Sequence, residues 1–287
     1  MSLLLSVVVI TIITIILLIY ISFLCIRSNI QYSTTQKIHF ITFGNGQYTK
    51  GVQHLCRQAN DLNCFISVRG VTDPKTIPLT EKEILFAEKN SRGFGYWLWK
   101  PRLIQNTMSK LKNGEMILYV DGGCRLGRVG NQITTMADRL KTLQNKFFVA
   151  VPWPGTPNHE YNWTKTDLVD ALQVPDHRKE SILGSRQLEA NIILIEVSPE
   201  SRRIVDNWVQ LMNPDRPHLF DDTPSVRPNH PNFVEHRHDQ SIFSLLMKKH
   251  DACVPLSHFP GIYPVRNFRW LPGYLSLLPE FIMTNIM

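Results

Sequence analysis

Asp121 is the residue whose setting most suggests chemistry. It follows the apolar run Met116 to Val120 and precedes Gly122, Gly123 and Cys124. An uninterrupted apolar run suits a strand buried on both faces. The C-terminal end of such a strand is where open α/β sheets place ligands. A carboxylate there can hold a divalent cation, which in turn holds phosphates. Gly122 and Gly123 would let backbone pass close to a bulky group. A plain turn, opened by Asp121 and completed by the glycines, uses the same residues.

Four further clusters carry chemical potential. Gly93 to Pro101 holds Phe94, Tyr96, Trp97 and Trp99 beside Lys100. Aromatic faces can stack on sugars or bases and Lys100 can hold a phosphate, although two tryptophans also suit a core. Glu189, Ala190 and Asn191 could hydrogen-bond sugar hydroxyls at the mouth of a strand, or form an ordinary polar loop. Glu235 to Ser241 is polar throughout. Asp239 could cap the helix that follows, and His236 with His238 could bind zinc if His230 or His258 supplied a third ligand. Finally His258, after the last expected strand, is either a metal or phosphate ligand or a structural histidine.

The elements that must position these residues follow from pattern. Strands are expected at Lys37 to Phe43, Cys64 to Val68, Met116 to Val120, Phe147 to Val151, Ala190 to Val197 and Ala252 to Leu256. Helices are expected at Tyr48 to Ala59, from the Thr80/Glu83 capping box to Lys89, and from Pro101 to Lys112. Others are expected at Asn131 to Leu143, from Ser198 to Leu211, and from Gln240 to Lys249. Alternating strands and helices imply an α/β layered domain with a mainly parallel sheet.

The chain has 287 residues and a net charge of +7. Leu3 to Cys25 carries no ionisable Asp, Glu, Lys, Arg or His and is long enough to cross a bilayer as one helix. It lacks the basic n-region and small-residue cleavage site of a signal peptide. The expected organisation is an anchor at 1–27, a stem at 28–36 and one domain at 37–287. The basic balance suits an anionic ligand or membrane surface. No Arg/Lys block or RNA-binding signature is present, so no nucleic-acid partner is expected. Cys56, Cys64, Cys124 and Cys253 show no metal spacing, and Cys56 and Cys64 are near enough in sequence to pair in an oxidising lumen. Arg27 and Lys37 argue for a cytoplasmic domain by the positive-inside rule, whereas the sequon Asn162-Trp163-Thr164 argues for a lumenal one.

Together, Gly-Tyr-Trp-x-Trp-Lys-Pro at 95–101, Leu-Tyr-x-Asp-x-Gly-Cys at 118–124 and His-Arg-His-Asp-Gln-Ser at 236–241 resemble a group of GT-A type glycosyltransferases. The resemblance implies a GT-A, Rossmann-like fold and a nucleotide-diphosphate-sugar donor. It also implies a glycan or other hydroxyl acceptor and a divalent metal, Mn²⁺ or Mg²⁺. It makes Asp121 the metal ligand, with Gly123 standing where such enzymes carry a second Asp. It makes Asp239 and Gln240 residues of the reaction centre, with Glu235 an alternative base. Phe43, Trp97, Trp99, Lys100, Gly122, Gly123, Ala190, Asn191, His238 and His258 are then candidates for contact with the donor or its phosphates. The Asp-Gln pair resembles that of retaining families. Such an enzyme, anchored by one helix, would be a type II protein with a lumenal, Golgi-like catalytic domain. Two other readings remain open: a catalytically inactive GT-A-like sugar-binding or scaffolding protein, suggested by Gly123, and a zinc hydrolase built on His236, His238 and His258.

Overall fold

The computed structural model describes residues 12–16, 36–127, 130–259 and 262–264. The expected anchor lies outside these apart from 12–16, which are helical, and among the described residues no helix is long and apolar enough to cross a membrane. The expected stem lies outside them except for Gln36.

In chain order the strands are β1 (Ile38–Phe43), β2 (Ser67–Val71), β3 (Met116–Val120), β4 (Cys124–Leu126), β5 (Phe148–Ala150), β6 (Ile192–Glu196), β7 (Cys253–Pro255) and β8 (Ile262–Pro264). Six of them form one sheet in the order β2-β1-β3-β6-β5-β7. Only β6 is reversed, pairing antiparallel with β3 and β5, while the other pairings are parallel. The mainly parallel sheet expected from the sequence is therefore present. A separate antiparallel pair, β4 with β8, follows directly from the end of β3.

The helices are α1 (Thr49–Asp61), α2 (Glu81–Lys89), α3 (Gly93–Tyr96), α4 (Trp99–Met108), α5 (Gly130–Thr142), α6 (Glu160–Trp163), α7 (Thr166–Ala171), α8 (Asp176–Leu183), α9 (Pro199–Leu211) and α10 (His238–Lys249). The Thr80/Glu83 capping box forms as expected. The second strand begins three residues later than expected, because Cys64 and Phe65 turn inward to a core cluster before pairing starts at Ser67 with His39.

Strand alternation divides the core between the two faces of the sheet. Ile117, Tyr119, Ile193 and Ile195 face α4, α9 and α10, packing with Leu103, Trp208 and Phe243. Phe40, Leu118, Val120 and Leu194 face α1 and α5, packing with Leu55, Ile133 and Ala137. β3 is buried along its whole length, so whatever follows it is carried by the most rigid part of the molecule. The four cysteines at 56, 64, 124 and 253 are free, so the Cys56–Cys64 bridge allowed by spacing is not formed.

The end of β3 is crowded on one side only. A Cβ on Gly122 would lie 2.7 Å from the Phe43 carbonyl oxygen, and one on Gly51 of α1 would lie 2.4 Å from the Gly122 oxygen. A Cβ on Gly123 would meet nothing nearer than 3.8 Å. Close backbone approach thus requires glycine at 122 and not at 123. Gly122→Ala is expected to lower the unfolding free energy by about 1–3 kcal/mol and Gly123→Ala to change it by no more than about 0.5 kcal/mol, as measured by urea denaturation.

Candidate active site

Three distant segments meet on one ammonium group. Lys100, in the first turn of α4, is 3% exposed. Its Nζ lies 2.7 Å from Asp239 Oδ2 and 3.3 Å from Asp121 Oδ1, and it donates to the Ala190 carbonyl at 3.1 Å. An ammonium has three hydrogens, and these partners use all of them. Lys100 therefore holds the protein's own oxygens, whereas the sequence suggested a phosphate.

Each partner is set by its element. Asp121 leaves the C-terminal end of β3, and its backbone N–H donates to the Asn191 carbonyl at 2.8 Å. Tyr119, two residues earlier on the same strand face, donates its hydroxyl to Asp121 Oδ1. Asp121 Oδ2 accepts no hydrogen bond among the described residues, and the side chain is 30% exposed. Asp239 lies inside the first turn of α10, whose N-cap position is Arg237 without a side-chain cap. Asp239 is 5% exposed, and Oδ2 has no partner beyond the Lys100 ammonium. Gln240 receives the Ala190 N–H at 3.5 Å and donates to Gln187 at 2.7 Å. Both backbone groups of Ala190 are thus tied to residues singled out from the sequence.

Burial shapes the charges. For Lys100 burial alone would lower the pKa, but the Asp121 and Asp239 carboxylates more than reverse it and hold the group above the usual lysine value. Burial lifts Asp239 from 3.8 to about 6 against the downward pull of Lys100. Burial, and then the Asp121 charge, push the Tyr119 hydroxyl well above its ordinary range. With both carboxylates ionised the cluster carries one net negative charge, and Asp121 is where that excess meets solvent.

The aromatic segment is not an exposed platform. Trp99 is 4% exposed, its ring centroid lies 4.0 Å from that of Phe43, and its indole N–H donates to the Gly93 carbonyl. Phe43 is likewise buried. Trp97 is half-buried and stacks on His238 at 5.4 Å, with Tyr96 against the same imidazole at 5.0 Å. Gly93, Phe94, Gly95, Tyr96 and Trp97 all have positive φ, between 52° and 77°, forming a left-handed turn. Each L-residue there costs roughly 1–2 kcal/mol, and strain of this kind persists only when surrounding contacts over-determine it.

The histidines are turned onto backbone. His236 Nδ1 accepts from the Lys165 N–H at 3.4 Å and its Nε2 donates to the Leu219 carbonyl at 3.0 Å. His238 Nδ1 donates to the Phe220 carbonyl at 2.7 Å. His258 is exposed, next to Ser257. Among the described residues no group of three His, Cys, Asp or Glu side chains could hold a metal, so the zinc arrangement on His236, His238 and His258 does not form. Glu235 is also apart from the cluster, exposed, 3.9 Å from Arg92. Asn162 of the sequon is 3% exposed with its amide hydrogen-bonded to the Asn232 carbonyl, so it cannot carry a glycan in the folded protein.

Among the described residues, the solvent-facing carboxylate oxygen of the cluster that a divalent cation could use is Asp121 Oδ2, in the region of excess negative charge. That suits Mg²⁺-type binding, which relies on one or two carboxylates together with substrate phosphates and waters. Asn191 Oδ1, buried beside Asp121, accepts no hydrogen bond among the described residues while its amide donates to Glu189 at 2.9 Å.

Sequence reasoning missed three supporting residues. Tyr119 was legible from its spacing to Asp121. Gln187 had no local signal. Arg237, inside the polar run, has its guanidinium 4.1 Å from the Trp153 ring and 3.8 Å from the Trp163 ring, steadying the start of α10.

No protein-family model matches the sequence, and no curated protein matches it. The fold is similar to solved glycosyltransferases. One is involved in glycosylation of the major capsid of PBCV-1, with 11% identity, 78% of this chain and 82% of that one covered, and a TM-score of 0.42. Another is mouse xyloside xylosyltransferase 1, with 11% identity, 77% and 85% covered, and 0.41. A third is core-mannan synthase A of Aspergillus fumigatus in a Mn/GDP form, with 12% identity, 87% and 84% covered, and 0.40. Likenesses at these scores carry no argument for function.

Removing Lys100 leaves two carboxylates facing each other without a cation. Lys100→Met is expected to destabilise the fold by about 3–5 kcal/mol, the usual cost of stranding one half of a buried pair, measured by urea denaturation at pH 7. The contribution of Asp239 to stability should fall as pH rises from about 4 to about 6, against the opposite trend of the buried histidines, whose lowered values add stability as pH rises. Over that range the unfolded Asp239 gives up its proton before the folded one, whose value is about 6. Asp239→Asn should remove that contribution from the stability–pH curve.

Proposed function

We propose that the protein is a GT-A type glycosyltransferase that moves a sugar from a nucleotide-diphosphate donor to a glycan or other hydroxyl acceptor. The observation that carries this reading is the convergence of Asp121, Lys100 and Asp239 at the C-terminal end of β3, where the sheet reverses direction into β6. The three motifs that resemble this family contribute one member each to that cluster.

Breaking a sugar–phosphate bond leaves positive charge on the sugar and negative charge on the departing diphosphate. Asp121 is the residue to hold a divalent cation of the Mg²⁺ or Mn²⁺ type, which when bound supplies counter-charge for the diphosphate. Asn191 holds Asp121 through its backbone carbonyl, and its buried Oδ1 would have to turn outward to accept from a donor-sugar hydroxyl. Asp239, ionised and held by Lys100, stabilises positive charge developing on the sugar. Buried burial of Asp239 excludes water from that carboxylate and strengthens its field. Lys100 acts through the two carboxylates, keeping them ionised and in register. Asp239 is spent on Lys100, and Glu235 stands apart from the Lys100 cluster, so neither is placed as a base at the reaction centre. That favours retention of anomeric configuration. The apolar run Leu3 to Cys25 would anchor the enzyme, with a lumenal, Golgi-like catalytic domain. That placement rests on the proposed activity and on no glycan at Asn162.

The test is a panel of nucleotide sugars. One of them should raise the melting temperature and be cleaved to free nucleoside diphosphate. Asp121→Ala and Asp239→Ala should each reduce that turnover by about 10²–10³-fold, and product NMR should show the donor's anomeric configuration. Binding without turnover in the wild type would make the protein a sugar-nucleotide binder and sink the enzyme reading.

A further inference from the structure

A cleft of about 550 Å³ lies along the segment that leads into α10 and has no ligand assigned to it. Its walls come from 222–229, Phe233, Glu235 and His236, together with Lys165. That volume lies within the range of about 300–1,000 Å³ usual for small-molecule sites. We propose that this cleft binds a neutral saccharide segment of the acceptor; the proposal rests on the glycosyltransferase reading and adds where the acceptor lies and what class it belongs to.

Position is the first argument. Asp222 lines the cleft, accepts from Arg92 at 2.8 Å, and lies 3.7 Å from His238 Nε2. His236 lines it as well, and Asp239 follows three residues later. The cleft therefore shares a wall with the turn that delivers Asp239 to Lys100.

Chemistry is the second argument. Asp222 and Glu235 present carboxylates about half exposed, and Arg227 presents a guanidinium 69% exposed. Carboxylates accept from hydroxyls and the guanidinium donates to them. Lys165 adds no free cation, since its ammonium is 4% exposed and donates to the His218 and Asp221 carbonyls. Arg92, 47% exposed, pairs with both carboxylates, at 2.8 Å from Asp222 and 3.9 Å from Glu235, and Arg227 lies 3.7 Å from Asp170, so the cleft presents balanced charge and no uncompensated cation for a phosphate or sugar acid. Phe233 and Val226, the latter 85% exposed, offer apolar surface for the C–H face of a sugar ring.

Pre-organisation is the third. The wall lacks regular structure between Asp221 and Arg237 but is pinned from α7. Asp167 accepts the N–H groups of Val226 at 2.7 Å and Arg227 at 2.9 Å. Asn229 accepts the Thr166 N–H at 2.9 Å, and the Thr166 hydroxyl donates to the Pro228 carbonyl. A wall held this way need not be ordered by its ligand, which lowers the entropic cost of binding.

The experiment uses the full chain in detergent on an array of neutral, sialylated and phosphorylated oligosaccharides, beside thermal shifts with nucleotide sugars. Arg227→Ala and Phe233→Ala are the variants, since neither residue belongs to the Lys100 cluster. The wild type should bind neutral glycans, and each variant should weaken that binding about tenfold, the equivalent of about 1.4 kcal/mol, with melting temperature and nucleotide-sugar shifts unchanged. Neutral-glycan binding that survives both substitutions, selection of charged glycans, or no glycan binding by the wild type would overturn the proposal. If glycans bind through the cleft but no nucleotide sugar stabilises the protein, the glycosyltransferase reading fails and the saccharide site stands as a binding site.

Discussion

The buried ion triad of Lys100, Asp121 and Asp239 is the constraint to which the rest of the site answers. A lone ammonium or carboxylate taken out of water costs several kcal/mol even after relaxation. Lys100 and Asp239, 3% and 5% exposed, are each intolerable without the other. The start of α4, the end of β3 and the start of α10 must therefore arrive together, because any packing that separates them strands a charge. Such a cluster adds little net stability compared with apolar packing of equal volume. Its effect is to make one arrangement of these three elements far better than its neighbours. The Ala190 carbonyl completes the coordination of the ammonium, which brings the mouth of β6 into the same unit.

The left-handed turn at 93–97 makes sense in that light. The chain leaves α2 and must enter α4 with Trp99 under Phe43 and Lys100 facing Ala190. A right-handed turn would aim these side chains elsewhere. Glycine at 93 and 95 adopts positive φ without a Cβ penalty, and a Cβ at either position would also run into Trp97 or Ala87. The strain at Phe94, Tyr96 and Trp97 is offset by the stacking of Trp97 on His238 and the tilted contact of Tyr96 with the same ring. His238 itself has φ of 48°, so two strained segments brace each other immediately beside Asp239.

Much of this architecture was legible in the sequence, and the exceptions have physical reasons. β3 is an uninterrupted apolar run and the helix from Ser198 is long, patterned and capped, and both fall where the sequence pattern puts them. α6, α7 and α8 were unread because they are short and held by buried polar contacts rather than an apolar stripe. Glu160, wholly buried, gathers Thr164, Gln187, Ser244 and Lys248 from separate segments, and no local pattern announces such a network. The motif residues were identifiable by type, and their meeting at one point is a tertiary fact. What sequence could not distinguish was which face each side chain would turn. Trp99 and Lys100 read equally well as ligand-facing or buried, and the backbone reversal before them decides for burial.

On the proposed glycosyltransferase reading, charge would order the two ends of a bound donor. The chain as a whole is basic, at +7, which draws an anionic donor towards the molecule. The cluster itself carries an excess negative charge once Lys100 has neutralised one of its two carboxylates. A bare diphosphate against Asp121 would be repelled, so that end of the donor must arrive with its own counter-charge. The sugar end gains from the same field, because positive charge grows on the anomeric carbon as the bond to phosphate lengthens. The exposed carboxylate therefore belongs on the diphosphate side and the buried one on the sugar side. The low-dielectric position is then given to the carboxylate whose field is needed only in the transition state, where it has most effect.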